Sequence, residues 1–116
     1  MKKYIKSTHL EDNPTHLSQV GFDFYHGDDY DYDYNRVMRA IEIAINRSGV
    51  EFDAADIYSI DYAQYPKGTV AGVSVDFWHD GNYDTQLIER NIEKYITRAI
   101  DDPDAEVLGF DFRSLD

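Results

Sequence analysis

The sequence predicts an α+β domain with the ferredoxin-like element order βαββαβ, in which two helices cover one face of an antiparallel sheet. Two observations lead to this fold class. Four segments alternate apolar and polar residues with the period of two that strands show. Two segments between them repeat apolar residues every three or four positions, which is typical of amphipathic helices. A chain of 116 residues is long enough for one core, so we expect residues 20–116 to form a single domain.

An extra N-terminal strand and a loop are predicted at residues 1–19, ahead of this domain, with the strand at 3–8. The first core strand is predicted at 20–25. The alternate residues expected to face the core are Val20, Phe22 and Phe24. Asp23 between them is then expected on the other face of the sheet.

The first helix is predicted to begin in the acidic stretch after this strand and to end at Gly49. Either Asp31 or Asp33 is expected to cap it, because a carboxylate accepts hydrogen bonds from the free backbone N–H groups of the first turn. The apolar positions of the helix are Val37, Met38, Ile41, Ala44 and Ile45.

Two alternating segments, 57–65 and 69–79, are predicted to form a hairpin, with Pro66 and Gly68 in its turn. In the first segment, the residues expected to share one face are Tyr58, Ile60 and Tyr62. Asp61 is expected on the opposite, uncovered face. In the second segment, the residues expected toward the core are Val73, Val75 and Phe77.

The second helix is predicted to begin at a cap of Asn82 or Asp84 and to stop before Pro103. Its apolar positions are Ile88, Ile92, Tyr95, Ile96 and Ala99. A last strand follows. It is expected to place Leu108, Phe110 and Phe112 toward the core, and Gly109, Asp111 and Arg113 away from it.

One aspartate of each predicted core strand lies on the sheet face that the helices leave uncovered. These residues are Asp23, Asp61, Asp76 and Asp111. A solvated polar surface is the simplest interpretation. However, aspartate is a poor strand former, and like charges opposite each other on neighbouring strands destabilise a sheet. The loss of stability that four aspartates imply favours a functional role for this face.

The net charge limits the partners to be expected. The chain has 23 acidic and 11 basic residues and a formal net charge of −12. This charge repels phosphate backbones and anionic membranes, so we expect no direct binding to nucleic acids or membranes. The chain has no cysteine and no run approaching the roughly 18 apolar residues of a membrane span. We expect a cytoplasmic protein without catalytic motif, cofactor or metal.

The acidic loop after the first core strand alternates aspartate with tyrosine. Its candidate partner-binding residues are Asp28, Asp29, Tyr30, Asp31, Tyr32 and Asp33. Tyrosine is favoured in protein interfaces, and Trp78 is a further candidate anchor on the uncovered face. Carboxylates two residues apart in an extended chain are about 6.6 Å apart, a distance similar to that between neighbouring phosphates of a nucleic-acid strand. The sequence therefore predicts a surface that mimics a nucleic acid and binds a protein with a basic groove.

In its size, its aspartate-rich face and its lack of catalytic residues, the chain resembles the small acidic anti-restriction and anti-CRISPR proteins of phages and mobile elements. This resemblance implies a partner class, restriction enzymes or CRISPR effectors. It also implies a mode of action, in which the protein blocks its target stoichiometrically rather than by catalysis.

A divalent-metal site is the first alternative, because Asp23 and Asp111 could share Mg²⁺ or Ca²⁺, which would relieve their repulsion. A calcium-binding EF-hand is excluded, because positions six and twelve counted from Asp28 are Asp33 and Arg39 rather than Gly and Glu. A metal-dependent nuclease on this fold would use a carboxylate at the end of its first core strand, but an acidic face opposes an anionic substrate.

Two other groups of residues have alternative interpretations. His26 and His79 each follow a predicted strand, so we expect them at one end of the sheet, as an acid–base pair, a zinc site or plain loop residues. Basic residues on the helices are expected to pair with neighbouring glutamates. The last alternative is a homo-oligomeric interaction module that pairs through an edge strand. A monomer and a homodimer both fit the sequence.

Overall fold

The computed structural model describes residues 15–26, 33–60, 70–101 and 105–116. Its strands are β1 (His16–Tyr25), β2 (Glu51–Ile60), β3 (Val70–His79) and β4 (Glu106–Ser114). Its helices are α1 (Tyr34–Asn46) and α2 (Thr85–Ile100). The predicted N-terminal strand at 3–8 and the hairpin turn at 66–68 lie outside the described residues. No helix in the described ranges is long and apolar enough to cross a membrane.

The predicted α+β class is confirmed. The four strands form one antiparallel sheet in the order β2-β3-β1-β4, which is consistent with a ferredoxin-like fold. The first and last strands are neighbours, as the sequence predicts, and β1 and β3 occupy the centre. β1 begins at His16, four residues before the predicted start at Val20, because it pairs along its whole length with the ten residues of β3.

Both helices begin at an aspartate cap. Asp33 caps α1, and its Oδ1 accepts a hydrogen bond from the Arg36 backbone N–H at 3.2 Å. Asp84 caps α2, and its Oδ1 accepts from the Leu87 N–H at 3.1 Å. In each case the sequence had offered two candidates, and the cap is the one nearer to the apolar repeat.

The core lies between the helices and one face of the sheet. Alternate residues of β1 and β3 are buried there together with the apolar side of each helix. The largest fully buried side chains include Phe24, Phe77, Ile41, Ile45, Ile88, Ile92 and Ile96. The residues of β1, β3 and both helices that the sequence predicts to face the core pack in it.

The predicted faces of β2 are wrong. Ile57 pairs with Val73, a buried core residue, and packs against the core itself. Tyr58 pairs with Gly72 on the opposite face and is 51% exposed. β2 begins at Glu51, earlier than expected, and a register shift between Phe52 and Ala54 sets its alternation. Tyrosine fits either face of a sheet, because its ring is apolar and its hydroxyl is polar, so its position in the sequence did not decide the face.

The predicted inward position of Leu108 is also wrong. A β-bulge interrupts the pairing of β4 with β1, so that Asp111 lies opposite Gly21 but Leu108 lies opposite Asp23. Gly109 in the bulge has φ of +74°, a left-handed conformation that glycine adopts readily. The extra residue turns Leu108 away from the core. Val107 takes the buried position instead, while Phe110 and Phe112 pack against the core as predicted.

Candidate functional site on the open sheet face

The face of the sheet opposite the helices, the open face, contains alternate residues of all four strands. They are Leu17, Gln19, Gly21, Asp23 and Tyr25 of β1; Glu51, Ala54, Asp56 and Tyr58 of β2; Gly72, Ser74, Asp76 and Trp78 of β3; and Glu106, Leu108, Asp111 and Arg113 of β4.

The structure places three of the predicted aspartates, Asp23, Asp76 and Asp111, on the open face. Asp33 is the α1 cap instead, so its carboxylate is engaged with the helix backbone. Other predicted site residues lie outside the described part of the chain. They are Asp28, Asp29, Tyr30, Asp31, Tyr32 and Asp61.

Sequence reasoning missed Asp56, the aspartate that β2 contributes to the open face. Asp56 is exposed and pairs with Ser74, whose side chain lies on the same face. The alternation of Asp56 with Ile57 was the available signal. The segment that the sequence predicts as this strand begins only at Ile57, one residue after Asp56. With Asp56 included, each of the four strands carries at least one aspartate on this face.

No two of these four aspartates lie directly opposite each other. Asp56 faces Ser74, and Asp111 faces Gly21. Gly72 and Leu108 flank Asp23, and Gln19 and Ala54 flank Asp76. The destabilisation by directly opposed like charges that the sequence suggested is therefore avoided.

The aspartates instead form two diagonal pairs. Asp56 with Asp76, and Asp23 with Asp111, are each one strand apart and displaced by two residues. Diagonal neighbours of this kind are about 7–8 Å apart in a sheet. The spacing is of the same order as that between phosphates along a nucleic-acid strand.

Two of the carboxylates have distinct environments. The Asp76 Oδ1 accepts a hydrogen bond from the Gln19 side-chain amide at 2.9 Å, which fixes it across β1 and β3. Partial burial raises the pKa of Asp23 above its usual value. Its neighbours on either side, Gly72 and Leu108, offer no polar side chain. The free protein therefore bears an electrostatic cost for the ionised form of Asp23 that a bound cation would reduce.

An aromatic residue follows the open-face aspartate by two positions on three strands. The pairs are Asp23 with Tyr25, Asp56 with Tyr58, and Asp76 with Trp78. Residues two apart on a strand share a face, so each ring neighbours a carboxylate. Trp78 is half-buried, and its indole N–H donates to the Asp53 Oδ1 at 3.1 Å, which holds the ring in place.

Basic residues are few on this face. Arg113 pairs with Gln19 at its rim, whereas the stripe formed by Arg90, Lys94 and Arg98 is exposed on α2. The expected pairing of these helical bases with glutamates is wrong: within the described ranges, no ion pair of 4.0 Å or less joins them. Long exposed side chains gain little from such pairs, because water screens the charges and fixing the side chains costs entropy.

A second group of polar side chains, the histidine cluster, lies at one end of the sheet and consists of His16, Ser18, His79 and Asp116. The rings of His16 and His79 stack with centroids 5.5 Å apart. His16 Nδ1 lies 3.0 Å from Asp116 Oδ2, and Asp116 Oδ1 accepts from the Leu17 backbone N–H at 2.9 Å. His79 is buried, and its Nε2 lies 2.8 Å from the Ser18 Oγ.

The contact between Ser18 Oγ and His79 Nε2 has the distance of a catalytic serine–histidine pair, but its hydrogen bond runs in the wrong direction for catalysis. The Gly81 backbone N–H donates to His79 Nδ1 at 3.1 Å, so Nδ1 is unprotonated. The proton of the neutral ring then lies on Nε2, which donates to Ser18 Oγ. A general base must accept a proton from the serine. This histidine is therefore not poised to activate a nucleophile.

The prediction that His26 and His79 share an end of the sheet is wrong. His79 pairs with His16, at the start of β1, whereas His26 follows the other end of β1, beside Tyr25 and Val70. The antiparallel pairing of β1 with β3 separates them by the length of the strand. Across the described ranges, no group of three or more histidine, aspartate or glutamate residues is arranged to hold a metal ion.

No protein-family model matches this chain, and neither does any curated protein.

Proposed function

We propose that this chain is a cytoplasmic, non-enzymatic inhibitor with a ferredoxin-like fold. Its open face occupies the basic nucleic-acid groove of a host-defence enzyme, such as a restriction nuclease or a CRISPR effector. The pairing of an aspartate with an aromatic ring on three neighbouring strands is the observation that carries this proposal. The net charge of −12 supports it, because such a chain is attracted to the same surfaces that attract a phosphate backbone.

The aspartate and aromatic pairs favour arginine on the partner. A guanidinium group forms two parallel hydrogen bonds with a carboxylate and stacks its flat face on an aromatic ring, whereas a lysine ammonium acts as a point charge. An exposed ion pair contributes about 0.2–1 kcal/mol, and a cation over an exposed ring about 0.5–1 kcal/mol. Each occupied pair therefore contributes about 0.7–2 kcal/mol, which is roughly three- to thirtyfold in affinity.

The diagonal spacing of the aspartates supports the mimicry of a phosphate backbone. A groove that binds DNA or RNA presents cations at intervals set by the phosphates, and aspartates on diagonal positions of a sheet, about 7–8 Å apart, have a similar spacing. The hydrogen-bonded sheet also keeps these charges on a rigid element, so little conformational entropy is lost on binding.

Two double variants with equal charge change test this proposal. Asp56→Asn with Asp111→Asn removes two exposed carboxylates from the open face. Glu42→Gln with Glu93→Gln removes two exposed carboxylates from the helices. Binding of a fluorescent nona-arginine peptide, followed by anisotropy at low and high salt, measures the affinity of each protein.

We expect the open-face variant to bind the peptide about tenfold more weakly than the wild type, and the helix variant to bind within about twofold of it. Binding by the wild type should also weaken at high salt, because the contacts are electrostatic. Equal losses in the two variants would mean that net charge alone attracts the peptide, and would overturn the proposal.

A further inference from the structure

The histidine cluster joins three parts of the chain that are distant in sequence. His16 and Ser18 belong to β1, His79 ends β3 and contacts the turn before α2, and Asp116 follows β4. We propose that His79 is an acid-sensitive latch, and that protonation of its ring releases this end of the sheet from the turn at 80–83. The proposal is independent of the function of the open face.

The hydrogen bonds of His79 are the basis of the latch. Both ring nitrogens are engaged: Nδ1 accepts from the Gly81 N–H at 3.1 Å, and Nε2 lies 2.8 Å from Ser18 Oγ. A second proton has to go to Nδ1, where it meets the hydrogen of the Gly81 N–H. The hydrogen bond is then replaced by a repulsive contact in a buried site, so protonation and the present geometry of the turn exclude each other.

The groups around the ring oppose or assist its protonation. The titratable groups that face it are His16 on β1, Asp80 and Tyr83 in the turn, and Asp116 after β4. Burial holds the pKa of His79 below its usual value, and the nearby His16 lowers it further, while Asp116 and Asp80 act in the opposite direction. The native state therefore favours the neutral ring.

The direction of the pH effect follows from this. Because the pKa of His79 is lower in the folded chain than in the unfolded chain, the contribution of the latch is fully present above about pH 6.5, the ordinary value for histidine. It is lost as the pH falls through the folded pKa. Between the pKa of His79 in the unfolded chain and its lower pKa in the folded chain, one proton is taken up on unfolding. The folding equilibrium constant then falls by up to tenfold per pH unit.

Release of the latch reaches one corner of the open face. Trp78 precedes His79 and pairs with Leu17. The Leu17 backbone N–H donates to Asp116 Oδ1 at 2.9 Å, and the Leu17 carbonyl accepts from the Leu115 N–H at 2.8 Å. Since Trp78 is the only tryptophan of the chain, its fluorescence reports directly on this corner.

The test compares chemical denaturation of three proteins between pH 7.5 and pH 5, followed by Trp78 fluorescence. The proteins are the wild type, His79→Gln and His26→Gln. Glutamine cannot take up a proton, and its amide can still donate toward Ser18. His26 is also buried but lies at the opposite end of β1, so its variant is the matched control. The carboxylates that do not interact with His79 are the same in all three proteins, so their contribution cancels in the comparison.

We expect the folding equilibrium constants of the wild type and His26→Gln to fall more steeply with decreasing pH than that of His79→Gln, by up to tenfold per pH unit. Parallel pH profiles for the wild type and His79→Gln would overturn the proposal. So would loss of the pH effect in His26→Gln. If His79→Gln does not fold, nitrogen-15 NMR of the wild-type histidines decides. A proton on Nδ1 at pH 7.5, or titration of His79 at or above the ordinary histidine pKa, contradicts the latch.

Discussion

The motif Gly-Phe-Asp-Phe occurs twice, at 21–24 in β1 and at 109–112 in β4, and its two glycines have different backbone conformations. Gly109 has φ of +74° in the β-bulge, whereas Gly21 is not among the residues with positive φ. Replacing each glycine by alanine therefore tests the bulge with two chemically identical changes. Gly109→Ala should destabilise the protein relative to Gly21→Ala.

The size of the difference follows from the backbone alone. A Cβ at Gly21 would lie 3.7 Å from the Val73 carbonyl oxygen, and one at Gly109 would lie 3.9 Å from the Asp23 Oδ2, so both sites have room. The stabilisation from reduced freedom of the unfolded chain, about 0.4–1 kcal/mol, applies to both variants and cancels. What remains is the cost of a left-handed conformation for alanine, about 1–2 kcal/mol.

Urea denaturation followed by Trp78 fluorescence measures this difference. With an m-value of about 2 kcal/mol per M, the midpoint of Gly109→Ala should lie about 0.5–1 M below that of Gly21→Ala. Gly109→Asn is the control and should recover part of the loss, since asparagine tolerates the left-handed region better than alanine. Equal midpoints for the two alanine variants would refute the argument that the bulge requires glycine.

Three further predictions concern the helix cap, the face of β2 and the burial of Asp23. Asp84→Ala should cost about 1 kcal/mol of unfolding free energy and Asp84→Ser much less, because serine also caps; similar losses by urea denaturation would contradict this role. Ile57→Ala should destabilise the protein more than Tyr58→Ala, because Ile57 packs against the core and Tyr58 is exposed. A larger loss of unfolding free energy in Tyr58→Ala would instead support the prediction that Tyr58 faces the core. Asp23→Asn should raise stability at pH 7, because burial raises the pKa of Asp23 and its ionised form is disfavoured in the folded state. This gain should vanish below about pH 4, where the unfolded carboxylate is itself protonated, and a gain that persists there would show that charge is not its cause.

The parts of the fold that depend on local patterns were predictable from the sequence. The alternation of Val20, Phe22 and Phe24 defines the core face of β1, and Asp33 and Asp84 precede apolar repeats as caps do. These features are set by neighbours within one turn of helix or a few residues of strand. Local physical preferences therefore suffice for them.

The parts that depend on pairing between strands were not predictable. The face of Tyr58 follows from the register of Ile57 against Val73, and the position of Leu108 follows from the bulge at Gly109. A shift of one residue in register reverses every side chain of a strand, and a single sequence carries little information about register. The same limit explains why Asp56 was missed as an open-face residue.

The residues of the histidine cluster could not be predicted to meet from the sequence either, because they are even farther apart in the chain. His16 and His79 are 63 positions apart in the sequence, and His16 and Asp116 are 100 apart. No spacing rule joins residues at such separations without the antiparallel pairing of β1 with β3. The sequence indicated that His79 ends a strand, but only the register places it against His16 rather than beside His26.

The most direct test of the central claim is inhibition of DNA cleavage by a panel of purified restriction nucleases and CRISPR effectors. Each enzyme is assayed with the wild type, the Asp56→Asn/Asp111→Asn variant and the Glu42→Gln/Glu93→Gln variant. The proposed function predicts that the wild type and the helix variant inhibit at least one enzyme at a stoichiometric ratio, that the open-face variant inhibits it at least tenfold less well, and that excess DNA relieves the inhibition. No inhibition of any enzyme, or equal inhibition by all three proteins, would contradict the claim that the open face acts as a nucleic-acid mimic.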